Sequence, residues 1–415
     1  MWVFVEPFDV WLFRDGKPFT AGDQVRATGM FPPLPSTFQG VLRSAALARA
    51  LDARGSSFDK FRDPADMATR DLRDRWGDAG DSYGAFRMRG PFVARTTTHG
   101  VEALLAAPAD LLIGAEQFRL AREQQPLAAG EAVRGGLDQP SSASRDGADG
   151  LWSKGWPGAL SLHGAPEYEG LTPAGRLTPV QLAQYLLGTI DGPPEPEGDV
   201  IRSDLRIGIE QDREHGTAAH GRFYQAHFLR PLDGAGLLAD VTFDGAARDL
   251  RADLGSAGEM AIGGEARAGR YRILADNPLE AVEGQGFRDE LVAQLHDSRF
   301  RLVLLTPGLF ERGWCPDFVD PGNGFKGTLA GLVVRLDGAA VPKPVPVSGW
   351  DLASNAPKPL RWAVAAGVTY TFQVIGAERD WAARLVGDVH GHSIAKGQRG
   401  SRWEIGMAVA HVGVA

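Results

Sequence analysis

Residues 29–45 combine residue types that could bind a phosphate at the start of a helix. Three prolines hold the chain extended, and Ser36 and Gln39 then follow with the three-residue spacing of a capping box. Thr37 lies between them, and Arg43 comes about one turn after Gln39. A helix N-terminus that offers free N–H groups beside a cation attracts anions. The segment therefore predicts a phosphate site made by Ser36, Thr37, Gln39 and Arg43.

Three later segments carry glycines or cations that suit the same chemistry. Residues 262–267 place two glycines before an arginine, residues 392–402 form a cationic loop, and a strand with two arginines leads into a polar hairpin. An ordinary turn or a solvated loop explains each segment about as well by itself, but their recurrence favours RNA. The candidate RNA-binding residues in these segments are Arg202, Arg206, His215, Arg222, Gly263, Gly264, Arg267, Lys396 and Arg399.

Other kinds of site find less support in the sequence. No P-loop, dinucleotide-binding fingerprint, nucleophile elbow or zinc-protease motif occurs. His215, His220 and His227 form a cluster, but their spacing fits no familiar zinc pattern and no cysteine lies nearby, so solvated loop histidines are favoured over a metal site. We therefore predict no metal and no cofactor, while a carboxylate pair for hydrolysis, such as Glu210 with Asp212, cannot be recognised from sequence alone.

The composition argues against a free-standing nucleic-acid binder. The formal net charge of the 415 residues is −8 and the sequence pI is about 5.7, whereas such binders are usually basic. Any RNA-binding charge must therefore be local or completed by partners. Three features of the sequence favour a cytoplasmic protein. The chain has a single cysteine, its N-terminal segment is acidic and lacks the basic start of a signal peptide, and no apolar run is long enough for a membrane helix.

Hydrophobic patterning predicts strand–helix units in both halves of the chain. Trp2 to Val5 reads as a buried strand, and Ser36 to about Leu51 as a helix with its apolar residues on one face. Alternation at residues 201–209 predicts one strand, and Gly221 to Leu229 is a second candidate strand. The polar stretch from Gln211 to His220 lies between them, which predicts a long hairpin. A Gly-, Ser- and Pro-rich stretch at 130–170 predicts a flexible insertion. The pattern favours two α+β domains, at residues 1–200 and 201–415.

The order of the motifs resembles a known family. Phe13-Arg-Asp-Gly-Lys-Pro-Phe19, followed by Pro33-Leu-Pro-Ser-Thr-Phe-Gln-Gly-Val-Leu-Arg-Ser44, is similar to the start of the third Cmr subunit of type III-B CRISPR effector complexes, a RAMP-superfamily protein of the Cas-five group. Later segments follow in the family's order over nearly the whole chain. They are Arg206-Ile-Gly-Ile-Glu210, Gly221-Arg-Phe-Tyr-Gln225, Ile262-Gly-Gly-Glu265, Val347-Ser-Gly-Trp-Asp351, Pro357-Lys-Pro359 and Ala365-Ala-Gly-Val-Thr-Tyr370.

The resemblance implies an α+β fold of two ferredoxin-like (RRM-like) domains with long insertions and a hairpin thumb, which would fall near residues 207–228. It also implies a noncatalytic role. The subunit would hold the repeat-derived 5′ tag of the crRNA and dock the large polymerase-like subunit and a backbone RAMP subunit, and it would meet target RNA only indirectly. The glycine-rich loop of many RAMP proteins would map to residues 397–400, which lack the usual aromatic residue.

Two other functions remain open from the sequence. A RAMP endoribonuclease that processes CRISPR precursor RNA would need a general base and a cation, for which His215, Tyr224 or His392 with Lys396 are candidates. A carbohydrate-acting β-rich protein would use the ten tryptophans. Cleavage of a repeat RNA would indicate the first of these functions, and binding of soluble glycans would indicate the second.

Overall fold

The computed structural model describes residues 1–14, 26–27, 29–78, 82–113, 118–120, 159–161, 172–173, 175–190, 200–211, 217–245, 249–351, 356–398 and 402–415. His215, Arg399 and most of the insertion predicted at 130–170 lie outside this part of the chain. No helix in the described ranges is both long enough and apolar enough to cross a membrane.

The described chain mixes helices and strands, which confirms the predicted α+β class at that level. The α-helices are Pro35–Asp52, Phe58–Arg62, Arg70–Trp76, Pro179–Leu186, Arg251–Leu254, Glu280–Glu283, Gln285–Gln294 and Trp381–Val389. Single turns of 3-10 helix occur at Met67–Thr69, Pro321–Asn323 and Trp403–Ile405.

Two compact units share the chain, and each is assembled from separated segments. The first contains Met1–Val101, Gly198–Asp276 and Pro346–Arg361, and the second contains Glu102–Glu197, Asn277–Val345 and Trp362–Ala415. This grouping differs from a division at residue 200. The separated segments of each unit are joined because their strands pair over long distances in the sequence, and no local sequence pattern reveals such pairing.

The first unit is built on an antiparallel sheet. Its strands lie in the order Ala257–Ala261, Ala268–Ile273, Trp2–Pro7, Ala235–Phe243 and Phe86–Thr97. Trp2–Pro7 is central, with a neighbour on each side, which confirms the buried strand predicted from its apolar run. The helix Pro35–Asp52 buries Phe38, Leu42 and Leu47 in the core of this unit.

The same unit contains the predicted long hairpin, formed by Ile201–Gln211 and Ala218–Pro231. Its antiparallel register runs from the Ile201–Pro231 pair toward the tip, with an irregularity between Ile209 and Gln211. The hairpin therefore begins before and ends after the predicted thumb at residues 207–228. The remaining strands of the unit are Arg26–Ala27, Trp350–Asp351 and Ala356–Pro357.

The second unit has its own sheet, with Val319–Asp320, Lys326–Leu329, Leu332–Val341, Thr369–Val374, Arg299–Leu304, Val409–Val414 and His392–Ser393 in that order. Ala159–Ser161 adds to it parallel to Leu332–Val341. Short strands Leu111–Ile113, Phe118–Leu120, Thr172–Pro173 and Arg176–Leu177 complete this unit. Gly100–Ala106, Val345–Val347 and Arg361–Ala363 lie where the chain passes from one unit to the other.

The central strands of the two sheets follow a common order. In the first unit Ala268–Ile273, Trp2–Pro7, Ala235–Phe243 and Phe86–Thr97 are the fourth, first, third and second in chain order. In the second unit the corresponding strands are Val409–Val414, Arg299–Leu304, Thr369–Val374 and Leu332–Val341. This is the strand order of a split β-α-β arrangement.

Candidate nucleic-acid interface

The start of the helix Pro35–Asp52, here called the proline-led helix, differs from the predicted capping box. Its N-cap is Leu34, with extended backbone at φ −60° and ψ 147°, and the cap makes no side-chain hydrogen bond. Pro35 occupies the first helical position, which its fixed φ favours. Ser36 therefore lies inside the helix rather than at its cap, and the prediction of a Ser36–Gln39 capping box is wrong.

The first backbone donors of this helix already have partners. The amides of Thr37 and Phe38 both donate to the Leu34 carbonyl, at 2.9 and 3.2 Å. Ser36 is half-buried and Thr37 is exposed. Gln39 is buried, and its side-chain nitrogen has no hydrogen-bond partner. The first turn thus offers an anion fewer free N–H groups than its sequence suggests.

Arg43 is bound to the protein's own backbone. Its Nη2 donates to the Gly77 carbonyl at 2.9 Å and to the Asp78 carbonyl, and its guanidinium carbon lies 5.9 Å from the Phe61 ring centroid. Burial lowers the pKa of Arg43. In this structure the side chain fixes the segment that follows the helix Arg70–Trp76.

A second set of predicted residues is brought together at the base of the long hairpin. Residues 262–267, here called the glycine turn, join the strands Ala257–Ala261 and Ala268–Ile273. Gly263 has φ +83°, and a Cβ there would lie 2.8 Å from the Leu12 carbonyl oxygen. The Gly264 amide donates to that same oxygen at 2.8 Å. The two glycines therefore let the turn pack against the backbone of Leu12. The packed turn also fixes the backbone position of Arg267, its last residue.

Phe228 joins the glycine turn to the hairpin. Its ring is 3% exposed and belongs to a small apolar cluster with Val10, Leu12 and Ala226. The guanidinium carbons of Arg206 and Arg267 lie 4.7 and 4.9 Å from the centroid of this ring. Both distances are within the range of cation–π attraction. A buried aromatic ring thus holds two cations that come from segments far apart in sequence.

Two carboxylates and a third arginine complete this surface. Arg230 donates to Asp9 at 3.0 Å and to Asp204 at 2.6 Å, whereas Arg206 makes longer contacts with the same two carboxylates, at 3.5 and 3.4 Å. The side chains of Arg206, Arg230 and Asp9 are 37%, 46% and 50% exposed. We call Arg206, Arg230 and Arg267, with Phe228, Asp9 and Asp204, the arginine patch.

The charges of the patch influence one another. The hydrogen bond from Arg230 lowers the pKa of Asp204, and Arg206 acts in the same direction. The same bond raises the pKa of Arg230. No carboxylate in the described part of the chain pairs with Arg267, whose buried Nε also has no hydrogen-bond partner. Because these arginines are partly exposed and present guanidinium N–H donors, the patch can bind the phosphates of an anionic polymer.

The other predicted site residues lie elsewhere or outside the described side chains. Arg202 is exposed and stands opposite Arg230 in the hairpin register. Arg222 has a described backbone in the strand Ala218–Pro231, but its side chain lies outside the description. In the second unit Lys396 is exposed, and its Nζ lies 6.0 Å from the Trp403 ring centroid.

Sequence reasoning missed four members of the patch, namely Asp9, Asp204, Phe228 and Arg230. Arg230 and Asp9 are 221 positions apart, so no local pattern joins them. A signal existed within the hairpin itself. Asp204 and Arg206 are two residues apart on one strand, and this spacing places both side chains on the same face.

Partly exposed arginines are suited to contacts with nucleic-acid phosphates. The chain matches the model of a CRISPR-associated family, "CRISPR-associated protein (Cas_Cmr3)", over residues 3–396. The chain therefore belongs to this Cmr3 family, and the resemblance to the third Cmr subunit is confirmed. No curated protein matches the chain.

Solved structures show distant similarity. A chain of the cryo-EM structure of the type III-B Cmr-beta complex bound to cognate target RNA and AMPPnP is 16% identical, with a TM-score of 0.43, and 89% of this chain and 86% of that chain are covered. A chain of a second cryo-EM structure, of the type III-B Cmr-beta complex bound to cognate target RNA, is 15% identical, with a TM-score of 0.44, and 89% of this chain and 86% of that chain are covered. A chain of the crystal structure of the Csm3–Csm4 subcomplex in the type III-A CRISPR-Cas interference complex is 10% identical, with a TM-score of 0.30, and 91% of this chain and 94% of that chain are covered.

Proposed function

We propose that this chain is a noncatalytic, crRNA-binding subunit of a type III-B CRISPR effector. It holds the repeat-derived 5′ tag of the crRNA and docks the large polymerase-like subunit and a backbone RAMP subunit. Family membership supports the assignment to a Cmr effector. The shared strand order of the two sheets supports two ferredoxin-like domains as the framework.

The RNA-binding part of the proposal rests on one observation, the arginine patch. Arg206 and Arg267 are held on the ring of Phe228 while both residues stay partly exposed. A cation held in place by packing loses little side-chain freedom when it binds a phosphate, so less of the binding free energy is lost to ordering. The patch gives an acidic chain a local positive surface, which is what the net charge of −8 requires.

The long hairpin supports the docking part of the proposal. Leu205 and Ile207 are 48% and 61% exposed, although strand alternation places them on one face of the hairpin. Neighbouring exposed apolar side chains on one face of a hairpin are typical of a surface that a partner covers. We assign this face to contacts within the assembled effector.

Binding of single-stranded RNA tests the assignment of the patch. The purified chain is titrated with a labelled RNA that begins with the repeat-derived tag, over a series of salt concentrations. We expect Arg206→Ala combined with Arg267→Ala to weaken binding at least about tenfold, since one hydrogen bond to a charged group contributes about 1.5–3 kcal/mol. The salt dependence of log K should also flatten by roughly 0.7 for each lost phosphate contact.

Arg251→Ala is the matched control, because Arg251 is an exposed arginine of the same unit that pairs with Asp249 at 3.6 Å outside the patch. It should leave affinity and salt dependence unchanged. A loss of binding free energy in the control that is half of that in the double variant would show that only net charge matters, because the control removes one charge and the double variant removes two. The same incubations also test the noncatalytic part of the proposal, because discrete cleavage products of a repeat RNA would assign an endoribonuclease instead.

A further inference from the structure

The carboxylate of Asp9 already pairs with two of the three arginines in the arginine patch. It touches both exposed arginines, with Oδ1 at 3.0 Å from Arg230 and Oδ2 at 3.5 Å from Arg206. A carboxylate and a phosphate use the same fork of guanidinium N–H donors. We propose that Asp9 is an internal competitor for the phosphate, which keeps the patch partly neutral until RNA displaces it. This inference rests on the proposed function of the patch.

The geometry shows that Asp9 is not needed to position Arg206. The guanidinium of Arg206 packs 4.7 Å from the buried ring of Phe228, and this ring is fixed by the apolar cluster around Val10 and Leu12. The ion pair of Arg206 with Asp9 is long by comparison, and both side chains are exposed by more than a third. Without Asp9, Arg206 therefore keeps its place and loses only the nearby negative charge.

Asp204 serves the patch differently. It lies on the same hairpin strand as Arg206, is less exposed than Asp9, and makes the shortest contact of the network, 2.6 Å to Arg230. Asp204 therefore orients Arg230, while Asp9 approaches from the segment that follows the strand Trp2–Pro7. Exposed ion pairs of the Asp9 kind contribute little to stability, so an RNA phosphate can displace Asp9 at small cost.

The test measures RNA affinity after the charge of Asp9 is removed without changing its shape. Asp9→Asn should bind poly(U) RNA and the tag RNA roughly three- to fivefold more tightly, which is the size of one unit-charge interaction at about 4–6 Å in water. Its salt dependence should also become steeper, because arginines that were neutralised within the protein now release counterions from the RNA. Asp52→Asn, which removes an exposed carboxylate at the end of the proline-led helix, should show neither effect.

A double-mutant cycle locates the effect. In a protein that already carries Arg206→Ala and Arg230→Ala, the gain from Asp9→Asn should disappear. Unchanged or weaker binding by Asp9→Asn, or a gain that persists without the two arginines, would overturn the inference, and thermal unfolding of each variant confirms that it is folded. Failure of the proposed function gives a different result, since Arg206→Ala with Arg267→Ala would then bind RNA as tightly as the unmodified chain.

Discussion

The proline-led helix and the arginine patch both place arginines beside aromatic rings, but they use the cations differently. Arg43 lies near Phe61 and donates to backbone carbonyls of its own chain. Arg206 and Arg267 lie closer to Phe228, and both residues are partly exposed. An arginine whose N–H groups are taken up by backbone carbonyls of its own chain stabilises the fold, whereas one that packs on a ring and stays partly exposed remains available to a ligand.

The second unit contains an arginine that is almost completely buried, in contrast to the partly exposed arginines of the patch. Arg301 is 2% exposed, donates to the Tyr185 hydroxyl at 2.7 Å and lies 3.0 Å from a carboxylate oxygen of Asp110. Burial opposes the charge of Arg301, yet Asp110 and Tyr185 more than offset it, so that the pKa of Arg301 lies above its ordinary value. The contrast among these arginines predicts which variants lose stability and which lose RNA binding.

The largest effect is expected at Arg301. Arg301→Ala leaves the Asp110 carboxylate buried without its cation, and the free energy of unfolding should fall by about 3–5 kcal/mol. Urea denaturation measures this loss. Arg299→Ala is the control on the same strand, because its 55% exposed side chain pairs with Asp337 at the surface and should change stability by about 1 kcal/mol or less. Equal stability of the two variants would remove burial as the deciding variable.

Arg43 should give the next largest effect, on stability alone. Arg43→Ala leaves the carbonyls of Gly77 and Asp78 without their charged donor, so the unfolding free energy should fall by about 1.5–3 kcal/mol. Arg54→Ala is the control, because Arg54 forms an exposed pair with Asp71 that should contribute about 1 kcal/mol or less. A folded Arg43→Ala protein that retains full stability but binds RNA poorly would support a phosphate site at the helix start.

The glycine turn tests how the patch is held. Gly263→Ala forces a left-handed backbone on a residue with a Cβ, close to the Leu12 carbonyl, and should cost about 1–2 kcal/mol. Gly264→Ala is a neighbouring control, since its Cβ would lie 3.6 Å from Leu12 without unfavourable φ. We expect only the Gly263 variant to weaken RNA binding as well, because the displaced turn moves Arg267. Similar melting temperatures for both variants would contradict this.

The smallest effect is a pH dependence that belongs to the second unit. His390 is fully buried, accepts from the Val412 amide, and contacts the Val282 carbonyl at 2.7 Å. Burial, with a contribution from His411, holds its pKa well below 6.5. The unfolded chain therefore binds a proton that the folded chain does not, and stability falls as pH drops below about 6.5, by up to about 1.4 kcal/mol per pH unit.

Denaturant midpoints between pH 8 and pH 5 check this sign. His390→Gln should flatten the profile, while a steeper profile in the variant would refute the assignment. Glu283, Arg288 and His411 surround His390 and remain in the variant. RNA affinity measured on folded protein should not follow this titration, since the histidine lies in the buried interior and outside the patch.

Local patterns predicted the elements well where the pattern itself decides the structure. The alternation at residues 201–209 and the polar stretch after it gave the long hairpin, and the apolar run at Trp2 gave a central strand. The helix cap was missed because a proline in the first helical position makes the residue before it the cap. Thr178 obeys this rule, since it precedes Pro179 and forms a true capping box with Gln181.

Long-range pairing could not be predicted from the same patterns. The arginine patch needs Asp9 to meet Arg230, and the first unit needs Trp2–Pro7 to pair with Ala235–Phe243 and Ala268–Ile273. Both depend on how the strands are ordered in the sheet. Sequence identified the two cations that stack on Phe228 and the glycines that dock the turn, but it could not show that they meet.

One side-by-side measurement tests the central claim most directly. The unfolding free energy and the affinity for tag RNA are measured for Arg43→Ala and for Arg206→Ala combined with Arg267→Ala. The account predicts that Arg43→Ala loses stability and keeps its RNA affinity, while the double variant keeps most of its stability and loses RNA affinity. The reverse result, in which only Arg43→Ala loses RNA affinity, would contradict the assignment of the arginine patch as the RNA-binding site.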